Sequence, residues 1–470
     1  MPDEAQYWTW SRRLSYGYYS KPLAIAWQIA AGCALFGDTE LGVRIGNTLL
    51  SFFLSVAIFR LGLFCRIPVR DACLCALAFA FCPLGIISGF LATVDCGFLL
   101  FWTCATVAFI KQLDDPDRPL SFVTCGLLIG LGAFWKWTIY FLWVPVIVFS
   151  LVMNRCLFRK VLIGILLSLC GALPALVWNA RHGWASTLHV LGSVTGMQAH
   201  AANTLSFLGA QFALVSPVIF LLLLWTTFMF VKRLPRERSS VQFCWWTWVG
   251  FFALVIAQSF LKKVQGNWML FVYPTAFVLL GAAIVYAEYF MRRLILFGIA
   301  VSIVLLALVF SIPYISNFPW KANPWRQGLG LQGCAQELLQ RGYTPERDFL
   351  FSSRYQDVSQ ISFYGPGKKL AYFLNIHHLR KNQFSYWPSM RDRCVGKTGF
   401  FVAFLEGTDV VERIPHAQGR FIKELEPYFA HVTPLTPFSL YSVGGKVVRA
   451  AIVLRCEQYN GRMPKEEIKY

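Results

Sequence analysis

The sequence predicts a multispan α-helical membrane protein that carries a small mixed α/β domain at its C-terminal end. The 470 residues are 56% hydrophobic and only 14% charged, whereas a soluble protein of this length carries about 25% charged residues. The apolar stretches before residue 313 approach the roughly 20 residues that a spanning helix needs, and we expect about ten transmembrane helices. The remaining tail has the polarity of an ordinary soluble domain.

The apolar stretches follow one another with short polar breaks. They lie at residues 22–36, 41–65, 72–92, 96–112, 120–135, 137–154, 161–178, 204–231, 241–261, 268–287 and 294–313. The first of them, PLAIAWQIAAGCALF, is short for a span and is better explained as an interfacial helix on the membrane surface. Because an interfacial helix does not cross the membrane, this interpretation decides the direction in which every later span crosses.

Lysine and arginine residues in short loops predict the orientation. If residues 41–65 run from the outside inward, the inner loops collect most of the basic residues: Arg60, Arg66, Arg70, Lys111, Arg118, Arg155, Arg159, Lys160, Lys232, Arg233, Arg236, Arg238, Arg292 and Arg293. The outer loops after residue 65 contain only Lys136, Arg181, Lys262 and Lys263. The N-terminal segment, the loop 179–203 and the tail are therefore expected on the outer face.

The tail has local patterns of its own. CAQELLQRGY predicts a helix, while GFFVAFL and AAIVLRC predict strands. We therefore divide the chain into a transmembrane domain at residues 1–313, with a first outer loop at 1–40, and a mixed α/β domain at 314–470. The net charge of +19 is scattered between apolar runs, which favours lipid headgroups over nucleic acid as the partner.

Cysteine usage gives little functional information. Most of the 14 cysteines lie in or beside apolar runs, where they pack as small hydrophobic residues. No CxxC pair or His/Cys cluster has the spacing of a zinc site. Cys334, Cys394 and Cys456 lie in the polar tail, and whether any two of them form a disulfide is left open.

Two acidic positions are candidates for chemistry. Asp3 and Glu4 precede the first apolar stretch, where a partly desolvated carboxylate can act as a general base. Taken alone, the dipeptide is explained more simply as a solvated segment. Asp95 lies in FLATVDCGFLLFW with no other charge nearby. An acid at the end of a span either stabilises the N-terminus of the next helix or takes part in function, and both interpretations stay open.

Several basic and polar residues share the predicted outer face. Lys21, before Pro22, is either a snorkelling lysine or a ligand for a phosphate. Lys136 in AFWKWTIYF is explained, taken singly, by contact with headgroups beside aromatic anchors. Asn179 and His182 follow a span together with Arg181, and this grouping makes a binding role worth testing. No P-loop, HExxH or GxSxG element occurs.

The order of several short motifs resembles bacterial family 39 glycosyltransferases, which are related to protein O-mannosyltransferases and to the aminoarabinose transferase of lipid A. The motifs are DEAQYWTWS, GYYSKP, GDTELGVRIGN, LATVD, WKWT, LPALVWNARHGWAS, VQGNW and SSRYQDVSQISFYGPG. The resemblance implies a GT-C transmembrane fold in the bacterial inner membrane. It also implies transfer of a sugar from a polyprenyl phosphate to an envelope lipid, glycan or protein on the periplasmic side.

The resemblance assigns roles residue by residue. Asp3 takes the position of the acidic general base in the first outer loop, with Glu4 beside it, and Lys21 takes that of the basic residue that binds the donor phosphate. Asp95 and Lys136 match positions of donor-site or structural support, and contacts at Arg354 and Tyr355 are implied likewise. Some GT-C enzymes use a divalent metal, but the sequence contains no complete ligand set.

The motifs also depart from the family pattern. Relatives often have YDHPP where this chain has YSKPL, and TPD where it has Thr93-Val94-Asp95. They carry a spanning helix before the acidic pair, where this sequence has Met1 and Pro2, so we expect either a start further upstream or a shortened, impaired member. The alternatives to a glycosyltransferase are a lipid or glycolipid transporter and an inactive glycosyltransferase-like scaffold.

Overall fold

The computed structural model of the protein describes residues 1–115, 120–153, 157–195, 203–233, 238–315 and 318–465. Arg118, Arg155 and Arg236, which entered the orientation argument, lie outside the described residues. The chain divides into two compact units. The helical unit comprises Tyr16–Ala307, and the sheet unit comprises Met1–Ser15 together with Leu308–Tyr470.

In chain order, the helices as far as residue 311 are α1 (Pro2–Ser11), α2 (Ala24–Phe36), α3 (Glu40–Phe64), α4 (Val69–Phe81), α5 (Pro83–Phe90), α6 (Asp95–Asp114), α7 (Ser121–Ala133), α8 (Trp143–Met153), α9 (Leu157–Leu169), α10 (Leu173–Arg181), α11 (Ala185–Thr195), α12 (Thr204–Val215), α13 (Pro217–Arg233), α14 (Ser239–Leu261), α15 (Tyr273–Ile284) and α16 (Glu288–Ser311). All except α1 begin in the helical unit.

The helical unit contains helices long and apolar enough to cross a membrane. By length and composition, six helices in the described part of the chain can cross a membrane, or up to eight if α4 with α5 and α12 with α13 each form one bent span. The first of these pairs bends by 61° and the second by 109°. The expected number of about ten also counts the stretches 120–135 and 137–154, which form shorter apolar helices. The first apolar stretch forms the short helix α2, as its length predicted.

Small residues and one ion pair hold parts of this unit together. Gly126 and Gly164 bring α7 against α9 so closely that a Cβ on Gly126 would lie 2.2 Å from the Gly164 carbonyl oxygen. At the face predicted to be inner, Arg292 donates two hydrogen bonds to Asp71, from Nε to Oδ1 at 2.7 Å and from the second terminal nitrogen to Oδ2 at 2.9 Å. This bidentate geometry fixes α4 against α16.

The sheet unit is built from α1 and the tail. Its further helices are α17 (Cys334–Gln340), α18 (Tyr355–Tyr364), α19 (Met390–Arg393) and α20 (Val410–Leu425), and its strands are β1 (Phe349–Ser352), β2 (Tyr372–Phe373), β3 (Gly399–Glu406), β4 (Phe429–Pro434), β5 (Phe438–Val443) and β6 (Lys446–Tyr459). The predicted helix in CAQELLQRGY and the predicted strands in GFFVAFL and AAIVLRC are confirmed as α17, β3 and part of β6.

The six strands form one mixed sheet in the order β2-β1-β3-β6-β4, with β5 also paired to β6. Alternate side chains of β3 enter opposite cores, because successive residues of a strand point to opposite faces. Phe400, Val402 and Phe404 pack in a core with Val358 of α18. Phe401 and Ala403 pack in a second core with residues of α20. Helices therefore cover both faces of the sheet.

The N-terminal helix belongs to the sheet unit. Helix α1 packs against α18, and the Trp8 ring meets the Phe363 ring edge to face at a centroid distance of 5.1 Å. This grouping differs from the predicted division at residues 313 and 314, which assigned the N-terminal segment to the transmembrane domain. The reason is that the aromatic face of α1 is buried by α18. Cys334, Cys394 and Cys456 are all buried free thiols.

Candidate active site

The predicted site residues fall in both units. Asp3 and Glu4 lie in α1 of the sheet unit, whereas the cationic and polar candidates belong to the helical unit. Those of the helical unit are Lys21, Asp95, Lys136, Asn179 and His182. Each set is described by itself below.

Asp95 and Lys136 form an ion pair. The Lys136 Nζ lies 2.8 Å from the Asp95 Oδ1, and the two side chains are 23% and 18% exposed, respectively. Asp95 is the first residue of α6, where the exposed backbone N–H groups favour a carboxylate. The ammonium group also lies 5.3 Å from the centre of the Phe98 ring. The pair is thus only partly buried.

The segment that carries Lys21 is joined to the segment that carries Lys136. The Tyr18 N–H donates to the Lys21 carbonyl at 3.2 Å, which closes a turn, and the Ala24 N–H donates to the Phe134 carbonyl at 2.9 Å. Lys21 is therefore three residues from one end of this hydrogen bond, and Lys136 is two residues from the other. The lysine side chain itself is partly exposed.

The same segment contacts α10 and α11. Gly17 packs so closely that a Cβ there would lie 2.7 Å from the Trp178 Cβ. The Ser186 hydroxyl donates to the Tyr18 carbonyl at 3.1 Å, and the Tyr19 ring lies 4.8 Å from the His189 ring. The helical unit thus brings the segments bearing Lys21, Lys136, Asn179 and His182 together, although they are far apart in sequence.

Asn179 and His182 hold this arrangement in different ways. The Asn179 Oδ1 accepts from the backbone N–H groups of Ser186 at 3.0 Å and Thr187 at 3.3 Å, which caps the first turn of α11. The His182 ring stacks on the Trp178 ring at 4.1 Å, and its Nδ1 lies 2.7 Å from the Trp178 carbonyl oxygen. The Asn179 amide is occupied by capping, and binding by either residue remains a prediction.

The two N-terminal acids occupy different environments. Asp3 is exposed in the first turn of α1, whereas Glu4 is only 5% exposed. The Glu4 Oε2 accepts from the Met1 nitrogen at 3.1 Å. Of the two carboxylates, Asp3 is therefore the more accessible to solvent, and the roles of both remain predictions.

Tyr355, the first residue of α18, has the Asp3 carboxylate and the guanidinium groups of Arg380 and Arg354 as electrostatic neighbours. Burial raises the pKa of Tyr355 and the Asp3 carboxylate raises it further, whereas Arg380 and Arg354 lower it. Arg380 also hydrogen-bonds the Tyr355 side chain. The N-terminal end of α18 thus collects a hydroxyl and two cations near the exposed acid, which is a suitable set for a sugar hydroxyl and an anionic group.

No group of three or more His, Cys, Asp or Glu side chains is close enough to hold a metal ion anywhere in the described part of the chain. The carboxylate of Asp95 is engaged with a lysine instead. A divalent metal thus remains an expectation from the family resemblance, and no chemical step is derived through one.

Sequence reasoning missed three residues of these clusters. Arg380 lies in an ordinary basic stretch, HHLRKN, with no pattern that distinguishes it. Gln28 and Asn47 are amides inside apolar helices, and their contacts link the neighbours of Asp95 and Lys136. The signal that could have found them is their polarity, because an amide within an apolar run needs a buried partner.

The helical unit and the sheet unit together are typical of one class of protein, the multispan helical membrane proteins with a GT-C fold and a small sheet domain. The chain superposes on ArnT from Cupriavidus metallidurans in the apo state with a TM-score of 0.64 and 14% identity, covering 96% of this chain and 93% of that one. ArnT bound to undecaprenyl phosphate also matches with a TM-score of 0.64, at 16% identity and the same coverage. The predicted fold is therefore confirmed.

Sequence comparisons agree with this class. The profile of the family described as dolichyl-phosphate-mannose-protein mannosyltransferase matches residues 20–178. The lipid A galacturonosyltransferase RgtD of Rhizobium johnstonii is 27% identical over 59% of each chain. An undecaprenyl phosphate-alpha-4-amino-4-deoxy-L-arabinose arabinosyl transferase of Pseudomonas aeruginosa is 32% identical over 28% of this chain and 27% of its own length.

The chain matches about three fifths of the first relative's length and about a quarter of the second. The resemblance to family 39 glycosyltransferases that the motifs indicated is confirmed by these comparisons. Activity, substrates and partners of this chain are taken up as proposals.

Proposed function

We propose that this protein is a membrane glycosyltransferase that moves a sugar from a polyprenyl phosphate to an acceptor of the bacterial envelope. The observation that carries the proposal is the partly exposed Asp95–Lys136 pair, since a hydrogen bond joins the segment bearing Lys136 to the segment bearing Lys21. Two lysines on joined segments suit the phosphate of a lipid donor, because an ammonium group stabilises an anionic oxygen. The superposition on ArnT bound to undecaprenyl phosphate supports the same donor class.

The chemical step is a single displacement that inverts the anomeric carbon, as the family resemblance implies. The acceptor hydroxyl oxygen attacks the anomeric carbon, and the bond from that carbon to the phosphate oxygen breaks. The electron pair leaves with the polyprenyl phosphate, where Lys21 stabilises the anion, and the hydroxyl proton passes to Asp3. Glu4 supports this base, and Lys136 helps to hold the donor phosphate.

We propose a lipid A-type glycolipid as the acceptor and a uronic acid as the transferred sugar. The relative with the longest alignment is named a lipid A galacturonosyltransferase, and arabinosyl transferases are among the others. Arg354 and Arg380 beside Tyr355 offer guanidinium groups that fit a sugar carboxylate. An amino sugar would be a poorer match for two arginines, because like charges repel.

The proposed location is the bacterial inner membrane, with the sheet unit facing the periplasm and with Lys21 and Lys136 on the periplasmic side. The distribution of lysine and arginine over the short loops supports this orientation. A transporter, which is the alternative from another class, would need polar groups along a path through the spans. The two lysines and Asp95 instead lie at the ends of apolar stretches on the predicted outer face.

Mass spectrometry of envelope lipids tests the proposal. We expect lipid A from cells that contain the gene to carry one additional sugar mass, and lipid A from a deletion strain to lack it. Complementation with the unaltered gene restores the mass, whereas complementation with Asp3→Asn does not. Identical lipid profiles with and without the gene would contradict the proposed acceptor class, and full activity of Asp3→Asn would contradict the assignment of the base.

A further inference from the structure

We infer that Gln28 and Asn47 are positioning residues that hold Lys136 and Asp95 in register with each other. The inference rests on the proposed function, because it concerns the pair that we assign to the donor phosphate. It depends on a continuous chain of side-chain hydrogen bonds between the residue before Lys136 and the residues before Asp95.

The chain of hydrogen bonds begins at Trp135. Its indole Nε1–H donates to the Gln28 Oε1 at 3.1 Å. The Gln28 Nε2 then donates to the Asn47 Oδ1 at 2.5 Å. The Asn47 Nδ2 in turn donates one hydrogen bond to the Thr93 carbonyl at 3.0 Å and one to the Ser88 carbonyl at 3.1 Å. Because the donors follow one another, each bond polarises the next.

The last acceptors in this series of hydrogen bonds are backbone carbonyl groups of Ser88 in α5 and of Thr93 in the loop after it. Helix α5 ends at Phe90, and its last carbonyl groups have no partner further along the helix. Asn47 is fully buried, and it supplies its two donors to the carbonyls of Ser88 and Thr93. The loop that leads into Asp95, the first residue of α6, is thereby fixed to α3.

Two glycines provide the space for the amides and the indole. A Cβ on Gly46 would lie 2.4 Å from the Gln28 Cγ, and a Cβ on Gly97 would lie 2.4 Å from the Trp135 Nε1. Gly97 is two residues after Asp95, so the Trp135 ring lies directly on the first turn of α6. The ring also packs on Phe101, with centroids 5.2 Å apart.

These contacts explain how the hydrogen-bonded side chains of Gln28 and Asn47 can influence both members of the ion pair. Trp135 directly precedes Lys136, and Thr93 is two residues before Asp95. An amide pair that is bonded to both sides fixes the separation of the lysine and the aspartate without touching either charge. Gln28 and Asn47 therefore set the position of the ammonium group rather than the charge that it presents to a phosphate.

A double-mutant cycle in the purified full chain tests the inference. The variants are Asn47→Leu, Lys136→Ala and the combination, with undecaprenyl phosphate binding and sugar transfer as the two readouts. We expect Asn47→Leu to weaken undecaprenyl phosphate binding about tenfold and to lower transfer at least as much. In the Lys136→Ala background the same change should add less than twofold, because the residue that it positions is already gone.

Two further variants separate positioning from loss of fold. Gln28→Met breaks the same chain at a half-buried site and should reproduce the binding defect. Gln211→Met is the matched control, because Gln211 is a fully buried amide that bonds Tyr273 and the carbonyls of Phe207 and Gly266 instead. It should leave undecaprenyl phosphate binding within twofold.

The inference would be overturned if the losses from Asn47→Leu and Lys136→Ala multiplied, or if Gln211→Met weakened binding as much as Asn47→Leu. Failure of the proposed function has a different signature. In that case Lys136→Ala alone would retain full binding and transfer, and the assignment of the pair to the donor would fall together with its positioning residues.

Discussion

The Asp71–Arg292 and Asp95–Lys136 ion pairs of the helical unit differ in how completely the carboxylate is used. Asp71 receives two hydrogen bonds from Arg292, and its side chain is only 3% exposed. Asp95 receives one from Lys136 through Oδ1, and 18% of its side chain is exposed. Both acids lie in the first turn of a helix, so their sequence contexts are alike.

The comparison separates a structural pair from a pair that can exchange partners. A guanidinium group that satisfies both carboxylate oxygens leaves no position for a ligand, and its geometry holds two helices in place. A lysine that bonds only one carboxylate oxygen and has a partly exposed side chain can turn towards a phosphate. The completeness of the contact, rather than the presence of an ion pair, thus indicates function.

The largest expected effect separates the two cations: removal of Arg292 should mainly lower stability, whereas removal of Lys136 should mainly lower transfer activity. Arg292→Ala leaves the buried Asp71 carboxylate without its partner, so it should lower stability more than Lys136→Ala does. Lys136→Ala removes a partly exposed contact, which costs about 1 kcal/mol or less. Transfer activity should show the reverse order, with a loss of about a hundredfold or more for Lys136→Ala.

Thermal unfolding and transfer rates of the two variants, each normalised to the amount of folded protein, provide the measurement. The comparison fails if Arg292→Ala lowers transfer by folded protein as strongly as Lys136→Ala does. It also fails if Lys136→Ala unfolds the protein as readily as Arg292→Ala.

A third acid, in the sheet unit, gives a smaller effect that depends on pH. Asp357 of α18 is buried, and burial raises its pKa to about 6 from the ordinary 3.8. Arg354 and, to a smaller extent, Arg449 lower that pKa only in part, and the Arg449 guanidinium donates to the Leu329 carbonyl and to the Gln360 Oε1. Asp357 thus represents the case in which a buried acid has no complete counter-charge.

The sign of the pH dependence follows from the raised pKa. The folded state binds the proton of Asp357 more tightly than the unfolded chain does, so this stabilisation is complete below about pH 4 and is lost as the pH rises through about 6. Between pH 5 and 7.5 the loss amounts to about 1 kcal/mol. Asp357→Asn should flatten this part of the stability profile in thermal unfolding of the full chain. The exposed Asp409→Asn should leave the profile unchanged, and equal profiles for all three proteins would contradict the effect of burial.

Much of this architecture could be predicted from the sequence. The apolar stretches, the short first helix and the strands GFFVAFL and AAIVLRC follow from hydrophobic pattern and length. The number of spans could not be predicted, because an apolar run does not reveal where a helix breaks. The stretch 137–154 begins in 3-10 geometry at Trp137–Leu142 before α8, and such a break depends on tertiary packing.

The candidate residues could be predicted better than their partners. Asp95 and Lys136 were each open to a structural explanation when taken alone, and their pairing across 41 residues has no local signal. Gln28 belongs to no recognised motif, Asn47 ends the motif GDTELGVRIGN without an assigned role, and their contacts depend on the space that Gly46 and Gly97 leave. The association of α1 with α18 was missed because the first outer loop was expected to group with the spans that follow it in sequence.

Sugar transfer by the purified full chain in lipid nanodiscs tests the central claim most directly. The reaction contains a polyprenyl-phosphate uronic acid and lipid A, and both lipids are followed by mass spectrometry. We predict a lipid A product heavier by one sugar residue, released polyprenyl phosphate in equal amount, and neither product with Asp3→Asn. A donor that stays intact, or that crosses the bilayer without any gain of mass in the acceptor, would contradict the claim that the protein is a glycosyltransferase.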